Sequence, residues 1–215
     1  RDPVIITKNL RKQFGDFVAV NDISFEVMRG EIFGFLGANG AGKTTAMKML
    51  TGLLAPSGGS ATVAGFDVMT ESDKVKRNIG YMSQRFSLYE DLTVKENVRF
   101  YGGIYGLSYS ERKRKSAELI ERLGLLDVKR DKVADLPLGW KQKLAFSVAL
   151  LHDPAIVFLD EPTGGVDPLT RRQFWDLIYE AAERGVTVFV TTHYMDEAEY
   201  CERISIMVDG KIEAL

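Results

Sequence analysis

Eight consecutive residues constrain this chain more than anything else in it. Gly37-Ala38-Asn39-Gly40-Ala41-Gly42-Lys43-Thr44 fits G-x-x-x-x-G-K-[ST] at every fixed position. The stretch follows a short apolar strand pattern, Glu31–Leu36, and precedes a helical one, Lys43 to Thr51, with Met47 and Leu50 on one face and Gly52 as its stop. Gly37, Gly40 and Gly42 let the backbone bend so that successive N–H groups turn inward. Those donors and the positive helix end form a nest for anions. Lys43 adds a full charge suited to the β- and γ-phosphates, and the Thr44 hydroxyl suits Mg²⁺ bridging two phosphates.

The rest of the chain supplies the frame for such a loop. Strand patterns are expected at Val4–Thr7, Phe17–Val20, Ile23–Val27, Ala61–Ala64 and Ile79–Met82, punctuated by Gly15-Asp16, Asn21-Asp22 and Arg29-Gly30. From about Arg85 to Lys143 no strand pattern is convincing. Thr93 with Glu96, and Ser108 with Glu111, have capping-box spacing, and the second box opens a helix expected to turn Ala117, Leu119, Ile120 and Leu123 inward before Gly124. An inserted helical subdomain over 85–143 follows, with 1–84 and 144–215 forming the remainder. Leu144–Leu151 reads as a central helix and Ala155–Leu159 as a buried strand. Asp167-Pro168 caps a helix through Arg184, closed by Gly185. Val186–Thr191 is a further strand, and Ile204–Val208 and Lys211–Ala214 flank the hairpin signal Asp209-Gly210. Strands alternating with helices predict an α/β fold with a parallel sheet.

The strand Ala155–Leu159 runs into Asp160-Glu161. Ionised carboxylates at the tip of a buried strand are costly unless something pairs with them, and Mg²⁺ resolves the conflict. Asp160 would hold the ion through its water shell. Alternation along the strand sends Glu161 to the other side, where it can polarise a water for attack on a γ-phosphorus.

Composition sets the outer bounds. The 215 residues carry 28 Lys and Arg against 30 Asp and Glu, a net charge of −2, which argues against a chain built mainly to hold nucleic acid or anionic lipid. The single cysteine, Cys201, rules out an internal disulfide and fits a reducing compartment. No apolar run approaches the ~18 residues of a membrane span. The chain opens at Arg1 rather than Met, and the expectation is of a segment from a longer polypeptide.

The Asp160-Glu161 pair after an apolar strand, followed by Pro162-Thr163, resembles the ATP-binding cassette (ABC) ATPases. Further motifs follow in that family's order. Gln84, in Tyr81-Met82-Ser83-Gln84, is similar to the loop glutamine that reaches Mg²⁺. Val166-Asp167 is similar to the loop that contacts an opposing subunit, and His193, after Val188-Phe189-Val190-Thr191-Thr192, to the switch histidine at the γ-phosphate. Phe14 lies where the family places an aromatic under adenine, with Phe17 nearby. The resemblance spans essentially the whole chain. It implies a RecA-like P-loop core with a parallel sheet, an N-terminal antiparallel β subdomain and an inserted helical subdomain. It also implies ATP and Mg²⁺ as ligands. The nucleotide is held by Phe14 and by Gly37, Ala38, Asn39, Gly40, Ala41, Gly42, Lys43, Thr44 and Thr45, and the metal by Thr44, Gln84 and Asp160. Hydrolysis would be served by Glu161, His193 and Lys43.

The chain departs from the family at one motif. Where Leu-Ser-Gly-Gly-Gln is usual, it has Leu136-Pro137-Leu138-Gly139-Trp140, of which only Leu136 and Gly139 match. Pro137 has neither a hydroxyl nor an N–H, Leu138 replaces a glycine that permits close approach, and Trp140 replaces an amide with an indole donating one N–H. Either this signature serves a degenerate site in an asymmetric pair, or Trp140 and backbone donors substitute. The stretch resembles the ATPase subunits of type-2 ABC exporters, the drug-efflux branch, as do the segments from Thr170 to Trp175 and from His193 to Cys201. The implied partners are a transmembrane permease subunit and a second nucleotide-binding domain, as homodimer, heterodimer or within one chain, and no nucleic acid. The implied location is peripheral, on the cytoplasmic face of the inner (plasma) membrane. The competing reading is an ABC ATPase acting on ribosomes or DNA without a membrane partner, for which Glu111-Arg112-Lys113-Arg114-Lys115 is the candidate contact and a solvated helix face the plainer account. A GTPase is disfavoured because no Asn-Lys-x-Asp motif occurs. A cassette that binds without hydrolysing is disfavoured by Glu161.

Overall fold

The computed structural model describes residues 1–83 and 88–214. Two sheets organise the molecule. The first is antiparallel, in the order β2-β1-β4-β5, from β1 (Pro3–Phe14), β2 (Phe17–Met28), β4 (Gly58–Val63) and β5 (Phe66–Asp67). The second has the order β10-β9-β3-β8-β7-β6, from β3 (Ile32–Leu36), β6 (Ile79–Met82), β7 (Ile156–Asp160), β8 (Thr187–Thr192), β9 (Arg203–Val208) and β10 (Lys211–Ala214). It is parallel from β9 through β6, and only β10 runs antiparallel to its neighbour.

The central strands β3, β7 and β8 of the second sheet are buried on both faces, which is why they read as continuous apolar runs. Alternation divides their side chains between two cores. Phe33, Phe35, Ile156, Phe158 and Phe189 face helix α1 (Lys43–Leu50) and the antiparallel sheet, where Phe25 stacks on Phe33 with ring centroids 5.5 Å apart. Ile32, Val157, Leu159, Val188 and Val190 face Phe146 of α5 (Leu138–Ala149) and Phe174, Trp175 and Ile178 of α6 (Pro168–Glu183). A third core lies among α3 (Val94–Ile104), α4 (Tyr109–Arg122) and the outer part of α5.

Several expectations shift. Phe17–Val20 and Ile23–Val27 are one strand, because a bulged register carries the chain through Asn21-Asp22 without a turn. Helix α2 (Ser72–Asn78) and β5 have no counterpart in the sequence reading. Ala117 is exposed, and Ser116 takes the inward position beside Leu119 and Ile120. The Thr93–Glu96 capping box forms in full, whereas the Ser108–Glu111 pair closes through the Ser108 hydroxyl, which donates to the Glu111 carboxylate. Helix α5 begins at Leu138 rather than Leu144, with Pro137 at its cap, and runs unbroken past residue 143. Among the described residues no helix is long and apolar enough to cross a membrane.

Candidate functional site

Parallel strands deliver their loops to one edge of a sheet, and the loop 37–44, Asp160-Glu161 and His193 gather there, at the carboxyl ends of β3, β7 and β8. The loop after β3 is shaped by its glycines. Gly42 caps α1 at φ 104°, and a Cβ there would lie 2.6 Å from the Ala19 carbonyl oxygen. A Cβ on Gly37 would lie 2.6 Å from the Met207 carbonyl oxygen. The loop is therefore wedged between β2 and the β9–β10 hairpin, and Gly210 N–H donates to Ala41 C=O at 2.9 Å. Gly37 N–H donates to Thr192 C=O at 3.2 Å, joining the loop to the end of β8.

Lys43 is almost wholly buried. Its ammonium donates to the carbonyls of Gly37 and Ala38 and stands 3.5 Å from the Glu161 carboxylate. Glu161 also meets His193 Nδ1 at 2.8 Å. Strand alternation stops at Glu161, whose φ is 45°, so its side chain is not simply opposite to that of Asp160. Its N–H donates to the Thr191 hydroxyl at 3.0 Å, and that hydroxyl donates to Asp160 at 2.9 Å. One threonine thus braces both acids. Asp160 is buried, and burial together with the Asp160 charge pushes the Tyr81 hydroxyl up to about 12.

A groove of about 530 Å³ is lined by Phe17, Ala19, Ala38, Asn39, Gly40, Gly42, Lys43, Thr44, Thr45 and Glu161. Phe17 lines it and Phe14 does not. The two pair across the hairpin, and the Lys12 ammonium lies 5.2 Å over the Phe14 ring. Gln84 lies outside the described residues. The arrangement can hold a polyanion against backbone donors and one ammonium, with a carboxylate and an imidazole alongside.

The signature stretch is elsewhere. Pro137, Leu138, Gly139 and Trp140 border a second groove, of about 730 Å³, with Asp167 and Thr170 opposite. Gly139 is pinned there, since a Cβ would come within 3.0 Å of Thr170. Trp140 is exposed, with the Lys143 ammonium 5.2 Å from its ring. Asp167 caps α6 through Thr170, and those hydrogen bonds hold its carboxyl below the usual range. Val166 beside it is half-buried.

A family model described as "ABC transporter" matches residues 20–164. The chain belongs to the ABC transporter family. It is 52% identical over 213 residues to the probable multidrug ABC transporter ATP-binding protein YbhF of Escherichia coli, covering 99% of this chain and 37% of that protein. It is 39% identical to the linearmycin resistance ATP-binding protein LnrL of Bacillus subtilis, covering 97% of this chain and 67% of that one. The chain therefore spans little more than a third of the length of YbhF. A solved ATP binding subunit of an ABC transporter superposes with a TM-score of 0.85 at 30% identity, over 98% of this chain and 88% of that one. The dimeric structure of MJ0796, a bacterial ABC transporter cassette, gives 0.84 at 28%, over 97% and 96%. The fold is that of an ABC ATPase cassette, a nucleotide-binding unit.

Sequence reasoning missed Thr191, Phe17 as the groove wall, and the hairpin that backs the loop. Thr191 gives no local signal, because its place beside the acids comes from the pairing of β7 with β8. The contact of the hairpin with the loop joins residues far apart in sequence and leaves no local trace.

Proposed function

We propose that this cassette binds ATP with Mg²⁺ and hydrolyses it to power a membrane exporter of drugs or other small molecules. The observation that carries the proposal is the convergence of Lys43, Glu161 and His193 beside the glycine loop. The names of the relatives support the export of drugs, and the exporter assignment rests on them.

Lys43 and backbone N–H groups of the glycine loop at the start of α1 hold the phosphates, and Phe17 offers its exposed ring to the base. Thr44 and Asp160 fit Mg²⁺: both offer hard oxygens, and an ion that keeps several waters needs only one or two protein ligands beside the phosphates. Bound there, it would neutralise charge on the phosphate oxygens. Glu161 orients a water for in-line attack, and His193 stabilises charge on the transferring group. The Lys43 ammonium lies 3.5 Å from the Glu161 carboxylate, so a phosphate held by Lys43 lies close to the group that orients the water.

A second cassette would close head-to-tail on this one, with the signature 136–140 covering the partner's nucleotide and Val166-Asp167 at the contact. A transmembrane permease subunit would place the pair on the cytoplasmic face of the inner membrane. Glu161→Gln is the test: nucleotide binding persists and phosphate release stops. Turnover above background in that variant overturns the role of Glu161. Co-purification with a membrane subunit supports the exporter, and co-purification with ribosomes or DNA instead overturns it.

A further inference from the structure

Glu197 is wholly buried on the short 3-10 helix Met195–Tyr200, which follows His193. Its carboxylate accepts hydrogen bonds from three other segments. Oε1 accepts from the Thr163 hydroxyl at 2.6 Å, the Thr192 hydroxyl at 3.3 Å and the Arg171 guanidinium at 3.3 Å. Oε2 accepts from the Trp175 indole at 2.6 Å. Thr163 stands two residues beyond Glu161, and Thr192 immediately precedes His193. One oxygen atom therefore ties the tip of β7 to the tip of β8. Arg171 and Trp175 anchor that tie to α6.

The tie extends to His193 and to the glycine loop. The Thr192 hydroxyl accepts from Tyr194 N–H at 3.0 Å, and the Thr192 carbonyl accepts from Gly37 N–H at 3.2 Å. The Arg171 guanidinium lies 4.4 Å over the Tyr194 ring, whose centroid is 4.2 Å from that of His193. Burying a carboxylate is unfavourable unless its lone pairs are filled, and an apolar side chain of similar volume would fill the space without that cost. A charge placed where four donors from three segments converge does what an apolar filler cannot: it sets their separations.

We propose that Glu197 is a positioning residue for hydrolysis, fixing the spacing of Glu161 and His193 without touching the nucleotide. The proposal rests on the hydrolytic reading above. Misplacing a catalytic group by about 1 Å costs on the order of 10²-fold in rate. Glu197→Gln keeps the volume but turns one oxygen into an NH₂ donor, which must face either the Trp175 indole N–H or the Arg171 guanidinium with the two hydroxyls.

Steady-state turnover and fluorescent-nucleotide binding are measured on the full-length protein. The expected result for Glu197→Gln is a loss of about 10–100-fold in kcat, with nucleotide affinity within about two-fold of the original. Introduced into His193→Ala and followed by single-turnover phosphate release, it lowers the rate by less than about two-fold more, because the Glu161–His193 spacing that Glu197 sets has then already lost its imidazole. A role in folding alone would multiply the two losses. Trp175→Phe, which leaves the carboxylate in place and removes one donor, gives a smaller kcat loss with the same pattern, and decides the question where the Gln variant does not fold. An unchanged kcat, a loss carried by affinity, or multiplied losses overturn the proposal. Turnover abolished by Glu161→Gln but kept by Glu197→Gln sinks this inference alone; turnover kept by Glu161→Gln sinks the hydrolytic reading.

Discussion

Gly42→Ala and Gly40→Ala separate two reasons for a glycine in one loop. Gly40 has φ 83° and open space where a Cβ would stand, so the change meets only the cost of a left-handed backbone, about 1–2 kcal/mol. Gly42 has φ 104°, and its Cβ would sit 2.6 Å from the Ala19 carbonyl oxygen and 3.2 Å from the Met207 side chain. The first neighbour is backbone in a paired strand and cannot swing away. Overpacking adds about 1–3 kcal/mol to the backbone cost, for a total near 2–5 kcal/mol. The loss of chain entropy in the unfolded state returns less than about 1 kcal/mol in both variants. In a chain of this size each kcal/mol lowers Tm by about 2–4 °C, so the two variants differ by roughly 2–12 °C. Thermal unfolding of nucleotide-free protein reads this directly. Nucleotide titration then reports whether the displaced N–H groups still hold phosphate. Equal Tm values for the two variants would refute the claim that β2 presses on the loop at Gly42.

Three other outcomes are expected. Pro137→Ser restores a hydroxyl at the cap of α5 and should raise turnover where the facing cassette's site limits the rate, by up to the ~10²–10³ that one transition-state donor contributes; an unchanged steady-state rate of the assembled transporter sinks the idea of a defect. Phe17→Ala should weaken ATP binding by about 1–3 kcal/mol of lost stacking while Phe14→Ala leaves it unchanged, and a titration showing the reverse reassigns the base site to Phe14. His152 is stacked on Tyr105 at 3.7 Å, donates Nε2–H to the Ile79 carbonyl, and is held below its usual 6.5 chiefly by burial. Its folded pKa is the lower one, so the unfolded chain binds the extra proton first and stability falls as pH drops through about 6.5. The Tm advantage over His152→Phe should therefore shrink from pH 7.5 to pH 5.5, and a constant gap refutes it.

What the sequence disclosed was local chemistry. The loop 37–44 declares itself because each residue type answers a demand made within eight positions: positive φ, a helix end, one ammonium. The buried strands β3, β7 and β8 were legible as short apolar runs, and Asp167-Pro168 as a helix start. Helix α2 was not, because only Val75 in it is buried and no apolar period marks it. The early start of α5 was hidden by Pro137, which reads as a break yet is well placed at a helix cap. Ala117 misled because alanine carries little apolar surface to decide its side, while Ser116 is taken inward by the neighbours on its face.

The site was harder to read where a residue works through others. Lys43, Glu161 and His193 can be named from motifs, but the motifs do not say what sets their spacing. That is done by Thr191, which receives the Glu161 N–H and donates to Asp160, and by Glu197, which gathers Thr163, Thr192, Arg171 and Trp175. Neither is visible as a pattern, because its partners come from strands and helices that only the fold brings together. Glu161 itself shows the consequence. A non-glycine residue at φ 45° costs about 1–3 kcal/mol and persists only where surroundings over-determine it. Here its N–H is fixed by Thr191 and its carboxylate by Lys43 and His193, on either side of a chain held at Thr163 by Glu197. Together these restraints hold Glu161 off ordinary strand geometry and keep its carboxylate beside the imidazole.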